Sequence, residues 1–181
     1  RDAGLVVVDA PVHLPGLGFE WVMSNMAQLR RELGDRWPDC KDDMTMQMAF
    51  GVELASNVYN LEMAAQVEAQ RTEANERMAD LFDQVDFVIS ATNPDIAFPA
   101  HVGMNTRVGT QKAPPENNGA LTIPANIVGN PAISIPVAPV EGMPVGMQVM
   151  GRHHEDALLL DLARLVERSC PWPLVAPTAP V

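Results

Sequence analysis

The feature that most constrains the fold is a pair of short apolar runs at residues 132–137 and 145–150. Both are rich in β-branched or long apolar side chains, which favour strands. The tetrapeptide Glu141-Gly142-Met143-Pro144 lies between them and carries the glycine and proline that mark turns. The spacing therefore predicts an antiparallel pair of strands.

Helical periodicity predicts helices on both sides of this pair. Apolar residues recur at helical spacing in residues 19–33, and again from about residue 155 to residue 168. The longest helical signal runs from about residue 44 to residue 82, and either Gly51 or the Asn57–Asn60 region is expected to divide it. The inward face of the last helix is predicted to carry Leu158, Leu159, Leu162, Leu165 and Val166.

Two further runs are typical of strands. Residues 5–8 and residues 86–90 are each predicted to form a short buried strand. Because helices alternate with short strands, the fold class is predicted to be α/β. The strands are few for a chain of 181 residues, which indicates one part of a larger sheet. Residues 91–125 show little periodicity, and a loop of that length is usually functional or mobile.

Charge and hydropathy narrow the classes of partner. The net charge is −11, so the surface repels phosphates and anionic lipid, and neither nucleic acid nor a membrane surface is an expected partner. No apolar run reaches the ~20 residues that a membrane helix needs. Cys40 and Cys170 match no zinc motif and form no disulfide framework. These features predict a cytoplasmic protein, and the absence of a methionine at position 1 suggests that further sequence precedes it.

Two clusters of reactive residues carry weaker signals. Ser90, Asp95 and His101 are the three residue types of a hydrolase triad, but no G-x-S-x-G turn surrounds the serine. The run His153-His154-Glu155-Asp156 contains metal-ligand residue types. Adjacent histidines point in different directions, however, whereas helix ligands need a spacing of three or four residues. Neither cluster is predicted to be a site, and no metal is expected.

Three segments resemble the amidase signature family. The first is Leu81–Thr92, LFDQVDFVISAT, and the second is Thr122–Pro136, TIPANIVGNPAISIP. The third is Gly142–Arg152, GMPVGMQVMGR, together with the helix after it. Their order, spacing and detail are similar to the C-terminal portion of that family. The similarity is clearest over residues 60–170, and the chain is interpreted as residues 1–181 of the C-terminal part of a single amidase domain.

The resemblance implies a mixed β-sheet flanked by helices and an enzyme that hydrolyses a carboxylic amide to an acid and ammonia or an amine. The family uses an acyl-serine intermediate, with a catalytic serine, a second serine after a cis peptide and a lysine. These residues lie in and before a Gly/Ser-rich segment, upstream of the region matched here. The five serines of this chain are isolated, so no catalytic residue is assigned and the isolated chain is expected to be inactive. No cofactor is expected.

The resemblance also implies which residues line the substrate pocket. In the family, two segments lie close to the substrate. One is the loop that follows the strand predicted at residues 86–90, and the other is the asparagine-containing turn that precedes the next predicted strand. By position, the candidates are Thr92, Asn93, Asp95, Ile96, Phe98, Thr122 and Asn126. The family more often has proline-threonine where this chain has Ala91-Thr92-Asn93, so its specificity is expected to differ. Threonine and asparagine beside proline and glycine also commonly serve only to close turns.

Two alternatives to an amidase remain open. The chain is either a non-catalytic binding or scaffold module derived from an amidase, or part of an amidotransferase-like assembly. In every case the expected small-molecule partner of the full-length protein is an amide. Sheet edges without a neighbour associate. We therefore expect a homo-oligomer, or pairing with the missing N-terminal half.

Overall fold

The computed structural model describes residues 4–10, 12–16, 18–102, 105–113 and 119–173. The helices are α1 (Gly18–Leu33), α2 (Met46–Val58), α3 (Leu61–Phe82), α4 (Ile123–Val128) and α5 (Asp156–Ser169). The strands are β1 (Val88–Ala91), β2 (Arg107–Val108), β3 (Gln111–Lys112), β4 (Ala132–Val140) and β5 (Met143–Met150). Short 3₁₀ helices span Gly34–Arg36 and Asp39–Asp43. The chain divides into two compact units, Arg1–Leu81 and Phe82–Val181.

In the first unit, α1 packs against α2. Gly51 of α2 lies close to Met26 of α1, because a Cβ built on Gly51 would be 2.9 Å from the Met26 sulfur. The long helical signal divides at Tyr59-Asn60, in the predicted Asn57–Asn60 region. The Asn60 Oδ1 accepts a hydrogen bond of 2.9 Å from the Met63 amide, which explains why a new helix begins there.

The predicted buried strand at residues 5–8 is wrong. Residues 4–10 form no strand, and all four apolar side chains from Leu5 to Val8 are exposed, with Val6 86% exposed. Valine favours a strand only where a neighbouring strand completes its backbone hydrogen bonds, and residues 4–10 pair with no strand in the described structure.

The second unit is built on a three-stranded sheet of order β1-β5-β4, with both pairings antiparallel. The predicted hairpin is confirmed, and its turn is the dipeptide Glu141-Gly142. Both turn residues have positive φ, 52° and 78°, which suits a tight two-residue hairpin turn. A second, smaller hairpin joins β2 to β3 inside the loop of residues 91–125. Residues 103–104 and 114–118 of that loop lie outside the described residues.

One face of this sheet is closed by α5. The buried residues of the resulting core are Ile135, Val149, Leu159 and Leu162. Val166 packs against them, but Leu158 and Leu165 are exposed, so the predicted inward face of five residues was too wide. The prediction of a buried strand at residues 86–90 is also wrong in part. The strand exists, but its burial alternates and Ile89 is 53% exposed.

The combination of helices and sheet confirms the α/β class. No helix within the described ranges is both long and apolar enough to cross a bilayer.

Candidate functional site

The sheet face opposite α5 carries a row of polar side chains. Side chains two residues apart in a strand share a face, and Ser90, Gln148 and Ser134 lie directly opposite one another across the three strands. Thr92 follows two residues after Ser90 at the end of β1. We call this set, Ser90, Thr92, Ser134 and Gln148, the polar face.

A glycine in the central strand allows two hydroxyls of the polar face to meet. The Thr92 amide donates to the Gly146 carbonyl at 2.9 Å, and the Thr92 and Ser134 hydroxyls are 2.7 Å apart. A Cβ on residue 146 would lie 2.3 Å from the Ser134 Oγ and 2.7 Å from the Thr92 Oγ1. Only glycine fits between them, so Thr92 is held in place by a contact that spans β5.

Gln148 connects β1 to the segment that precedes α4. Its side chain is buried, with the residue 5% exposed. The Gln148 Nε2 donates to the Leu121 carbonyl at 2.7 Å and to the Ser90 Oγ at 3.3 Å. Ser90 stands two residues before Thr92, and Leu121 stands one residue before Thr122. One buried amide therefore contacts the Leu121 backbone and the Ser90 side chain, which lie next to the two segments that were predicted to line a pocket.

Thr122 and Asn126 lie at the start and on the exposed side of α4. The Asn126 Nδ2 donates to the Thr122 carbonyl at 3.0 Å, and the Thr122 Oγ1 donates to the Gly119 carbonyl at 3.3 Å. The helix ends at Gly129, whose φ is +85°. The structure thus brings these two predicted residues together in one helical turn.

The loop after β1 is closed by Asp95. Its carboxylate accepts a hydrogen bond from the Gly109 amide at 2.9 Å and another from the Ile96 amide at 2.8 Å. These two bonds, the Gly109 bond first, lower the pKa of Asp95 from its ordinary value of 3.8. In the same loop Asn93 and Phe98 are exposed, while Ile96 is half-buried. Asp95 therefore has a structural task in this chain, and the substrate-contact role of the loop stays a prediction.

An open cavity of about 320 Å³ lies beside α4. It is lined by Ala125, Asn126, Gly129, Asn130, Pro131, His153, His154 and Asp156. The His153 Nε2 lies 2.9 Å from the Val128 carbonyl, and the Asn130 Nδ2 donates to the Gly151 carbonyl at 2.8 Å. Of the predicted residues, Asn126 reaches this cavity.

The reactive clusters that were set aside from the sequence have other contacts. The Ser90 hydroxyl donates to the Ala91 carbonyl at 3.1 Å and accepts from Gln148, while both Asp95 oxygens accept from backbone amides. His153 contacts the Val128 carbonyl. Within the part of the chain that the structure describes, no group of three or more His, Cys, Asp or Glu side chains is arranged to hold a metal ion.

Arg152, the last residue of the third resembling segment, anchors the turn before β1. Its Nη2 donates to the Phe82 carbonyl at 2.7 Å and to the Val85 carbonyl at 3.2 Å, and it lies 3.4 Å from the Asp86 carboxylate. The carbonyls at the end of α3 lack intrahelical partners, so a cation there is favourable. Arg152 is a structural residue.

Comparison with known proteins connects this arrangement to one family. The family model described as Amidase matches residues 24–160, which is most of the chain. The chain belongs to the amidase family.

Curated relatives of this amidase-family chain include subunits A of glutamyl-tRNA(Gln) amidotransferases. The protein from Listeria innocua serovar 6a is 29% identical over 127 residues, which cover 70% of this chain and 25% of that protein. The protein from Lacticaseibacillus casei is 34% identical over 100 residues, which cover 54% of this chain and 19% of that protein. The chain therefore spans about a quarter or less of the length of these relatives.

Solved structures share the fold. A structure described as an amidase matches with a TM-score of 0.77 at 22% identity, covering 87% of this chain and 37% of that chain. A bacterial aryl acylamidase of the amidase signature enzymes matches with a TM-score of 0.71 at 19% identity, covering 91% and 36%. A substrate complex of 6-aminohexanoate cyclic dimer hydrolase matches with a TM-score of 0.74 at 22% identity, covering 98% and 40%. The chain has the fold of part of an amidase signature enzyme.

Sequence reasoning missed the residues that hold the amidase-family segments together. Ser134, Gly146 and Gln148 were treated only as parts of strands, and Asn130 and His153 were not linked to Asn126. One signal was available for Gln148, because a long amide inside an apolar strand run needs buried hydrogen-bond partners. The partners themselves, Ser90 and Leu121, are distant in sequence, and periodicity does not identify them.

Proposed function

We propose that this chain is the C-terminal, substrate-pocket part of an amidase that hydrolyses a carboxylic amide to an acid and ammonia or an amine. The match of the Amidase family model to residues 24–160 is the observation that carries the proposal. The polar face and the adjacent α4 give the pocket candidates a defined framework. The proposed place of action is the cytoplasm.

The nucleophile of the proposed reaction lies outside this sequence. An amide carbon is a poor electrophile, so an attacking serine needs a neighbouring base to take its proton. Lys112 is on the short exposed strand β3, and Lys41 is paired with Glu53 in the first unit. No serine of this chain lies in a Gly-rich run. The family's catalytic serines and lysine therefore have no counterpart here, and residues beyond the sequence supply them in the proposed enzyme.

This chain contributes pocket wall to the proposed enzyme. Thr92 is held over Gly146 by Ser134, and Gln148 holds the residue before Thr122. Such fixed side chains position a substrate better than mobile ones do, because their ordering cost is met on folding. Phe98 and Ile96 offer apolar contact, and Asn93 and Asn126 offer amide groups to a polar substrate. In this proposal Asp95 acts by closing the loop that carries three of these residues.

A second candidate is an amidotransferase-like assembly. The curated relatives that are glutamyl-tRNA(Gln) amidotransferase subunits A favour it, since by name they belong to multi-subunit enzymes. The net charge of −11 opposes direct contact with phosphate, so another subunit would have to bind any nucleic acid. A non-catalytic amidase-derived scaffold is the third possibility, and it needs no additional residues.

The test is an ammonia-release assay of the isolated chain on simple carboxylic amides, combined with sequencing of the coding DNA upstream of Arg1. We expect no release from the chain alone. We also expect an upstream open frame with a lysine followed by a Gly/Ser-rich segment holding two serines. Turnover by the chain that Ser90→Ala abolishes would overturn the proposal. A start codon within a few residues of Arg1 would favour the scaffold instead.

The proposed assembly state follows from the sheet. In the described residues β1 and β4 are the outer strands, and each has one edge without a paired strand. Exposed strand edges pair with other chains. We propose that the isolated chain forms dimers or higher species, and that the N-terminal half of the enzyme covers these edges in the complete protein. Light scattering that gives a monomer at every concentration would contradict self-association.

A further inference from the structure

The two outer edges of the three-stranded sheet differ in what they offer to another strand. Successive residues of a strand point their backbone N–H and C=O groups to opposite sides. The Gly151 amide donates to the Pro131 carbonyl at 2.9 Å, so the odd-numbered residues of β4 bond to β5. The even-numbered residues face the open edge as far as the bulge after Val137. Pro136 is one of them, and because proline has no N–H to donate, the β4 edge is interrupted.

The β1 edge has no such interruption. The Thr92 amide donates to the Gly146 carbonyl at 2.9 Å, so the even-numbered residues of β1 bond to β5. The backbone groups of Ile89 and Ala91 therefore face the open edge. No strand of the described structure pairs with this edge, and the Ile89 side chain is 53% exposed. The edge thus offers two N–H donors to a further strand, beside an uncovered apolar side chain.

The same chain carries a strand-forming run without a partner. Residues 5–8 are four consecutive apolar residues, three of them β-branched, and they form no strand. Their side chains are exposed, from 40% at Leu5 to 86% at Val6. Uncharged β-branched segments of this kind pair readily with an open strand edge. The run equals β1 in length, so the chain contains both an open edge and a run that fits it.

We propose that residues 5–8 of one copy of this chain add as a fourth strand to the β1 edge of a second copy. The backbone of the run bonds to Ile89 and Ala91, and its alternate side chains lie beside Ile89 on the face that α5 packs against. A four-residue strand buries much less than the about 1,200 Å² of a stable interface, so the association is weak and reversible. This inference rests on the proposed self-association of the isolated chain and not on its amide chemistry.

Adjacent proline variants test whether the run acts as a strand. Successive N–H groups of a strand point to opposite sides, so only one of Val6 and Val7 donates to β1. Both residues are exposed and unpaired, so neither variant disturbs the core. In sedimentation equilibrium over a concentration series, we expect either Val6→Pro or Val7→Pro to weaken self-association about tenfold, while the other stays close to the original chain. Equal weakening by both variants would indicate simple apolar adhesion, and that result, or no effect of either, would overturn the proposal.

Hydrogen exchange of the ¹⁵N-labelled chain, followed by NMR, locates the edge. We expect exchange of the Ile89 and Ala91 amides to slow as the protein concentration rises, whereas the outward Ser134 amide of β4 keeps its rate. The proline variant that blocks association should remove this slowing.

Three results of the exchange experiment would reject the contact between residues 5–8 and β1. Slowing at Ser134 instead would assign the contact to the β4 edge. Protection of Ile89 that is complete at the lowest concentration would mean that a segment of the same chain covers the β1 edge. Association without any change at Ile89 or Ala91 would remove this inference but keep the proposed self-association, whereas a monomer at every concentration would remove both.

Discussion

The sheet face that carries Ile135 and Val149 packs against α5, whereas the face that carries Thr92, Ser134 and Gln148 is joined by polar contacts. On the first face, contact depends on the size of apolar side chains, and many similar side chains would fill the space. On the second face, each contact depends on one donor, one acceptor or one absent side chain. The comparison indicates that the first face mainly supplies stability, and the second mainly fixes the position of the pocket candidates.

The largest expected effect is on the apolar face. Leu159→Ala removes a buried side chain from the core, so we expect the free energy of unfolding to fall by about 2–5 kcal/mol. Chemical denaturation followed by circular dichroism measures this change. Leu160→Ala, at the next and exposed residue, is the control and should stay within about 0.5 kcal/mol of the original chain. Similar losses in both variants would show that α5 does not close this face.

The next effect is on the polar face. Gly146→Ala places a Cβ against the Ser134 and Thr92 hydroxyls, and overpacking of this kind costs about 1–3 kcal/mol of unfolding free energy. Adding Ser134→Ala should recover part of the loss in the same denaturation experiment, because it removes the nearer hydroxyl. Gly16→Ala is the control, since no atom lies within 4 Å of a Cβ built there. A neutral Gly146→Ala would mean that the hydroxyl pair is not fixed.

A smaller and more local effect is expected at Gln148. Gln148→Met keeps the side-chain length but leaves the Leu121 carbonyl without its donor, which costs about 1 kcal/mol. Hydrogen exchange should speed up in residues 121–128, while β4 and β5 keep their protection. Ser90→Ala removes only the longer 3.3 Å contact and should leave exchange in α4 nearly unchanged. Uniform loss of protection through the sheet would assign Gln148 to stability instead.

Sequence periodicity predicts the β4–β5 hairpin correctly but fails for the run at residues 5–8. The β4–β5 hairpin follows from two apolar runs and a glycine turn, all within 20 residues of one another in sequence, so local chemistry is sufficient. The run at residues 5–8 has similar propensity, yet it is exposed and unpaired. A strand needs a neighbour, and the sequence of one run contains no information about a distant neighbour.

The contacts of the candidate site likewise include some between neighbours in sequence, which the sequence can predict, and some between distant residues, which it cannot. Thr122 and Asn126 are four residues apart and share one helical turn, so their proximity follows from local structure alone, while their role in a pocket stays a prediction. The contact of Thr92 with Ser134 and the contacts of Gln148 join residues that are 27 to 58 positions apart. Such contacts depend on strand order and register, which the sequence pattern of each strand leaves open.

The smallest expected effect concerns the loop after β1. Because the folded pKa of Asp95 is below its ordinary value of 3.8, its stabilising contribution is complete above that value. The contribution is lost as the pH falls through the folded pKa. We expect exchange of the Gly109 amide to show an acid-dependent opening below about pH 3.8. Asp95→Asn should remove this step, and an unchanged pH profile in that variant would assign the opening to another carboxyl.

The position of Arg152 has a consequence for how the chain folds. The β4–β5 hairpin joins neighbouring segments and can form early, at little cost in loop closure. Arg152 contacts the Phe82 carbonyl across 70 positions, and β1 pairs with β5 across a similar separation. Ordering the intervening residues is slow compared with closing a two-residue turn. We therefore expect the Arg152 contact to form after the rate-limiting step, so that its loss accelerates unfolding more than it slows folding.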